Sequence, residues 1–136
     1  MNILGVGVDI IKKSRIKKSS SNTKFIHRIF SKSEINNSMK IKDKISYFSK
    51  RFAAKEAFSK ALGLGFRYGL NFNDISVVND KYGKPSIKMN KKIKKIINKK
   101  FKIKNSFVYL SLSDEKNHSI AFVVLCKKWN QVKILL

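Results

Sequence analysis

Apolar residues crowd the stretch from Ile3 to Ile11, which is interrupted only by Gly5, Gly7 and Asp9. So short a run, rich in branched residues, predicts a buried strand whose glycines permit close backbone approach. Alternation puts Asp9 on the face of Gly5 and Gly7, with Val6, Val8 and Ile10 on the other. Residues 12–43 are polar and Lys-rich, with Phe25, Ile26, Ile29 and Phe30 at helical spacing. Ser31-Lys-Ser-Glu34 has the form of a capping box opening a second short helix. The longest helical pattern runs from Lys44 to Leu64 and stops at Gly63 and Gly65. Ile75 to Val78 and Ser86 to Met89 predict a hairpin across the turn-rich residues 79–85. Lys91 to Lys100 predicts a basic helix whose apolar edge is Ile93, Ile96 and Ile97. A last hairpin, Phe107 to Ser113 and Ser119 to Lys127, turns at Asp114-Glu-Lys-Asn117. The order β-α-α-α-ββ-α-ββ predicts one α+β domain, with helices packed on a mostly antiparallel sheet. No internal repeat divides it.

Charge complicates this picture. The chain has 136 residues, with 31 Lys and Arg against 8 Asp and Glu, for a net charge of +23. A hydrophobic content of 43% excludes a disordered basic tail. Such an excess points first to nucleic acid, because phosphate neutralisation supplies most non-specific affinity. Yet the only arginines are Arg15, Arg28, Arg51 and Arg67, and nucleic-acid recognition favours the planar Arg fork. Lys, Asn and Ile also have A- or T-rich codons, so drift in base composition competes with selected attraction to an anionic partner. Cys126 is the lone cysteine, which rules out an intrachain disulfide and a Cys-rich metal site and suits a reducing compartment. The longest apolar run, Ile120 to Cys126, is far short of the roughly 18–20 residues a membrane span needs. The N-terminus has no basic leader or small-residue cleavage site, so the expectation is a soluble cytoplasmic domain.

With acids so scarce, their positions carry information. Asp9 interrupts an apolar strand, either as a structural acid capping the next turn or as a ligand for a metal or phosphate site. Ile45, Phe48, Phe52 and Glu56 share one stripe of the long helix. A carboxylate there is costly unless it is paired or bound to a cation. Lys60 at i+4 offers an intrahelical ion pair. However, Ala54, Ala57, Phe58 and Ala61 make the other side apolar too, so the helix reads as buried. Acids on two elements, followed by a Gly-x-Gly turn and cations, suit a magnesium-phosphate site.

Taken together, these residues resemble the holo-acyl-carrier-protein synthase family of 4′-phosphopantetheinyl transferases. The resemblance starts at Ile3-Leu-Gly-Val-Gly-Val-Asp-Ile10. It is most specific at Arg51-Phe-Ala-Ala-Lys-Glu-Ala-Phe-Ser-Lys-Ala-Leu-Gly63. It continues through Gly65-Phe-Arg-Tyr-Gly-Leu70, Asn79-Asp80, Gly83-Lys-Pro85 and Ser111-Leu-Ser-Asp114. It covers residues 1–126 as a phosphopantetheinyl transferase domain and leaves 127–136 as a C-terminal tail, where Trp129 and Ile134-Leu-Leu136 have no counterpart.

The resemblance implies transfer of the phosphopantetheine arm of coenzyme A to a serine of apo acyl carrier protein, a step of fatty acid biosynthesis. Adenosine 3′,5′-bisphosphate is released. It also implies a homotrimer with coenzyme A at the subunit interfaces. Asp9 and Glu56 match the magnesium ligands, and Lys60 matches the lysine that approaches the transferred phosphate. Magnesium suits two hard carboxylates completed by water and substrate oxygens. Glu56 is the better candidate to take the serine proton, Asp9 being committed as a ligand. Arg51, Lys84, Pro85 and the Gly63 and Gly65 turn are expected to line the nucleotide end, and each has a purely structural alternative. Some relatives carry a His where this chain has Asp114, and an acid cannot bind a phosphate directly. His27 and His118 lie outside the motifs. Arg15, beside Lys12, Lys13 and Lys17, matches the docking position for the acidic carrier. A small basic RNA-binding domain is the rival reading; it explains the charge but gives Asp9, Glu56 and Lys60 no task. A longer, duplicated transferase acting on synthase carrier domains is the other, and the chain's length argues for the single-unit form.

Overall fold

The computed structural model describes residues 2–128. Two glycines set its architecture. Strand β1 (Asn2–Lys12) lies directly on the long helix α4 (Lys44–Leu62). A Cβ on Gly5 would come within 1.8 Å of the Ala61 carbonyl oxygen, and one on Gly7 within 1.8 Å of that of Ala57. Strand and helix backbones therefore touch, which only glycine facing alanine allows.

Strands β4 (Ser106–Asp114) and β5 (His118–Lys127) complete an antiparallel sheet of order β1-β5-β4, with Gly7 opposite Val123 and Asp9 opposite Ala121. Ala121, Val123 and Leu125 are buried against α4. The predicted hairpin β2 (Ser76–Asn79) and β3 (Pro85–Lys88) forms a separate two-stranded sheet. Among the described residues every pairing is antiparallel, and the strands form two sheets where the sequence suggested one.

The predicted burial of β1 holds on one face only. Val6, Val8 and Ile10 are 51–60% exposed, and Tyr109 and Phe122 continue this bare apolar face onto β4 and β5. Among the described residues α4 covers one side of the sheet and none covers the other.

Three short helices lead into α4, namely α1 (Lys13–Ser20), α2 (Thr23–Ile29) and α3 (Lys32–Ser38). The first was missed because Ile16 is its one buried residue, too little to set a period. The capping box at Ser31 and Glu34 is present. Helix α4 is buried nearly all round, starting on an Asp43 cap and ending on Gly63 in the left-handed conformation, φ 69°. The basic helix α5 (Lys91–Phe101) buries Ile93 and Ile97. Strand β5 passes residue 126, while the tail residues Trp129 and Ile134 to Leu136 lie outside the described residues. No helix among the described residues is long and apolar enough to cross a membrane.

Candidate active site

Asp9 sits on the α4-facing side of β1, its side chain 16% exposed. Lys60, in the last turn of α4, donates to Asp9 Oδ1 at 2.9 Å and to the Val8 carbonyl at 2.9 Å. The intrahelical Glu56–Lys60 pair suggested by spacing does not form; Lys60 turns to the strand instead. The reason is local: Gly7 brings the β1 backbone onto α4, and the Val8 carbonyl gives the ammonium a second acceptor.

Glu56, one turn earlier on α4, is half-buried. Burial pushes its carboxyl above the ordinary value, and the Asp9 charge pushes it further; Lys60 and Arg15 pull it back. The structure thus gathers Asp9, Glu56, Lys60 and Arg15 from β1, α4 and α1. A carboxyl held above its ordinary value by burial and by a neighbouring acid marks a place where added positive charge is favoured. Among the described residues no group of three or more His, Cys, Asp or Glu side chains is placed to hold a metal alone. A two-carboxylate set fits magnesium, which takes one or two carboxylates and fills its remaining positions with water and phosphate oxygens.

Arg51 does not join this cluster. Five residues before Glu56 on one helix, it points about 140° away around the axis. It is 7% exposed, its guanidinium lying 3.5 Å from the Tyr47 ring centroid. Its Nη2 donates to Asn79 Oδ1 at 2.9 Å, and Nε has no partner. Burial lowers its pKa, with Tyr47 and Glu34 opposing. Asn79 in turn donates to the Gly83 carbonyl at 2.9 Å. The Lys84 amide donates to Asp80 Oδ1 at 2.9 Å, and Pro85 opens β3. Arg51, Lys84 and Pro85 therefore form a second cluster around the β2–β3 turn.

The Gly63 and Gly65 turn follows Lys60 directly, both glycines at positive φ. It borders an open cleft of about 350 Å³ lined by Leu64, Tyr68, Ile96, Lys99 and Lys100, which the sequence did not signal. Asp114 faces inward to Lys13 at 2.9 Å and Lys50 at 3.8 Å, and the Lys13 hydrogen bond holds its carboxyl below the usual range. His27 is exposed, and His118 lies near Glu115 at 3.4 Å. Cys126 is buried.

Sequence reasoning missed the most enclosed charges. Glu34 and Lys55 are both 0% exposed and pair at 2.8 Å. Burial lowers the Lys55 pKa while Glu34 opposes the shift. Glu34 was legible only as a cap, and Lys55 only as part of the α4 motif. The signal available was a second cation on a helix already read as buried.

Comparison with known proteins places the sequence and the fold in one family. The family model of the 4′-phosphopantetheinyl transferase superfamily matches residues 5–123. A holo-[acyl-carrier-protein] synthase of Pelagibacter ubique is 59% identical over 128 residues, covering 94% of this chain and 100% of its own length. The one from Anaplasma phagocytophilum is 44% identical, covering 90% and 98%. Among solved structures, the Neisseria meningitidis synthase superposes with a TM-score of 0.82 at 36% identity, covering 92% of this chain and 99% of that one. The Bacillus anthracis synthase, in complex with coenzyme A (3′,5′-ADP), gives 0.79 at 35% identity, covering 94% and 100%. With the motifs, the fold and these matches in agreement, the chain belongs to the 4′-phosphopantetheinyl transferase superfamily.

Proposed function

We propose that this chain is a holo-acyl-carrier-protein synthase whose chemistry runs at Asp9, Glu56 and Lys60. The carrier serine oxygen attacks the coenzyme A phosphorus that bears the pantetheine. The new P–O bond forms as the bond to the nucleotide phosphate breaks, and adenosine 3′,5′-bisphosphate departs. The observation that carries this reading is the meeting of a strand carboxylate, a helix carboxylate and a half-exposed lysine at one point.

Each residue has a separable task. Asp9 and Glu56 would hold magnesium, which supplies positive charge to the diphosphate and eases departure of the nucleotide. Lys60 is 53% exposed, its ammonium held by the Asp9 carboxylate and the Val8 carbonyl, so it can turn toward an incoming phosphate and offset charge there. Glu56 also takes the serine proton, since Asp9, the other carboxylate of the cluster, is already held by Lys60. Arg15 faces the same cluster from α1 and steers the acidic carrier toward it.

The active assembly is a homotrimer acting in the cytoplasm. Two observations support the assembly. The bare face through Val6, Val8, Ile10, Tyr109 and Phe122 is larger than isolated exposed apolar residues require. Arg51, Lys84 and Pro85 lie on the far side of α4 from Lys60, where they serve coenzyme A bound to a neighbouring subunit's cluster. The test is incubation with coenzyme A, magnesium and apo acyl carrier protein, read by mass spectrometry. A phosphopantetheine mass gain on the carrier is expected. No gain with or without magnesium refutes the enzyme reading, and salt-resistant RNA binding would favour the rival.

A further inference from the structure

The Glu34–Lys55 pair lies outside the Asp9 cluster, and its partners say what it holds. Burying an ion pair is a poor route to stability, because desolvation rivals the attraction. Lys55 Nζ donates to Glu34 Oε2 at 2.8 Å, to the Phe72 carbonyl at 3.0 Å and to the Ile75 carbonyl. Glu34 accepts from the backbone amides of Ser31 at 2.9 Å and Val77 at 2.8 Å. Three of these four backbone groups belong to residues 72–77, the far end of the loop that leaves α4 at Gly63.

Between its ends this loop has little to fix it. Gly63, Gly65, Tyr68 and Gly69 all have positive φ, and within residues 64–70 the backbone bond is that from Leu70 to Arg67. Its anchor is aromatic. Phe66 stacks on Phe72 with centroids 3.6 Å apart, and Phe72 stacks on Phe52 at 5.6 Å. Phe52 lies one turn before Glu56 on the same stripe. Lys55 thus fixes Phe72, Phe72 fixes Phe66, and Phe66 holds the loop beside the Glu56 face of α4.

We infer that the Glu34–Lys55 pair is a positioning device that sets the 63–71 loop as the coenzyme A-facing wall of the site. This rests on the function proposed above. Neither residue touches substrate; both act through the loop. In the full-length protein, Glu34→Gln/Lys55→Met removes both charges without leaving one buried alone. Phe66→Ala keeps the pair and removes the stack. Both variants are expected to raise the KM for coenzyme A by roughly tenfold or more, with the KM for the carrier unchanged. Hydrogen exchange of the 63–71 amides should quicken while that of the α4 amides does not. A purely structural role would lower the active fraction and leave both KM values in place; that result overturns the inference. So does an unchanged KM for coenzyme A in Phe66→Ala, should the double variant fail to fold. A wild-type protein without transfer activity refutes the proposed function instead, and the exchange comparison still decides whether the pair fixes the loop.

Discussion

Gly7→Ala tests the contact on which the site depends. Its new Cβ would lie 1.8 Å from the Ala57 carbonyl oxygen, where real Cβ contacts essentially never fall below 3.0 Å. Strand and helix must separate locally by about 1.2 Å. The obstacle is backbone in the middle of a 19-residue helix, so no side chain can swing aside. The cost belongs at the upper end for overpacking, about 3 kcal/mol, which for a chain of this size lowers Tm by roughly 10 °C. Function should suffer separately, because Asp9 lies two residues along the same face. Lifting β1 moves its carboxylate and the Val8 carbonyl away from Lys60. A displacement near 1 Å in a reacting constellation costs on the order of 10²-fold in rate. Gly5→Ala is the comparison, since its Cβ meets the Ala61 carbonyl at the same 1.8 Å but lies farther along the strand from Asp9. Both variants should lose similar stability in thermal unfolding, whereas turnover measured well below Tm should fall more steeply for Gly7→Ala. A Gly7→Ala protein with wild-type Tm and wild-type turnover would show that β1 and α4 are not in backbone contact.

Lys60→Met should lower kcat by about 10²-fold or more while leaving the KM for the carrier in place, measured by steady-state transfer. Arg15→Glu should raise the KM for the carrier and flatten the dependence of association on salt, because the steering charge has been reversed. Asp114→Asn tests an ion pair through pH. The Lys13 hydrogen bond lowers the folded-state pKa of Asp114, so its contribution is full above the unfolded value near 3.8 and is lost as pH falls through the lower folded value. The Tm of the wild type should therefore exceed that of the variant at neutral pH, and the gap should close in acid; a gap that is constant down to pH 3 contradicts the assignment.

Much of the fold was legible because its elements have strong local signals. The glycine-bearing strand, the Ser31–Glu34 box, the Asp114 to Asn117 turn and the Gly63 stop are all short-range chemistry, and all stand where the pattern put them. Helix α1 escaped because a single buried Ile16 in a lysine-rich stretch has no period to read. The half-exposed state of β1 escaped because an apolar strand face such as Val6, Val8 and Ile10 reads the same in sequence whether it meets its own chain's core, another chain or water. At the site, the alternation that put Asp9 with Gly5 and Gly7 and the helical stripe that carries Glu56 were enough to single out both acids. Spacing then offered Lys60 to Glu56, and the structure gave it to Asp9. An i, i+4 rule describes an isolated helix, and here a strand backbone lies against that turn and offers a better-placed acceptor pair. Glu34 shows the same limit from the other side: its sequence neighbours explain its capping bond, while Lys55 and Val77, far along the chain, explain why it is fully buried.

The net charge of +23 looks different once burial is known. Among the described residues, Arg51 and Lys55 are the buried cations. Both lie on α4, and Lys60 at the end of the same helix is the cation that reaches the Asp9 carboxylate. These three cations have three separate surroundings. Lys55 neutralises a fully buried acid and gathers the carbonyls of the loop end. Arg51 leans on Tyr47 and reaches the β2–β3 turn through Asn79. Lys60 stays half-exposed beside Asp9. A helix that is buried nearly all round cannot tolerate an idle charge, so each of its inward cations must have a partner, and each partner marks a different wall of the molecule. The lysines of α5 meet no such demand: most stand in solvent, while Ile93 and Ile97 anchor that helix. Drift in base composition can multiply such lysines at little cost in stability. It could not have produced Arg51 and Lys55, where an unpaired buried charge would cost several kcal/mol.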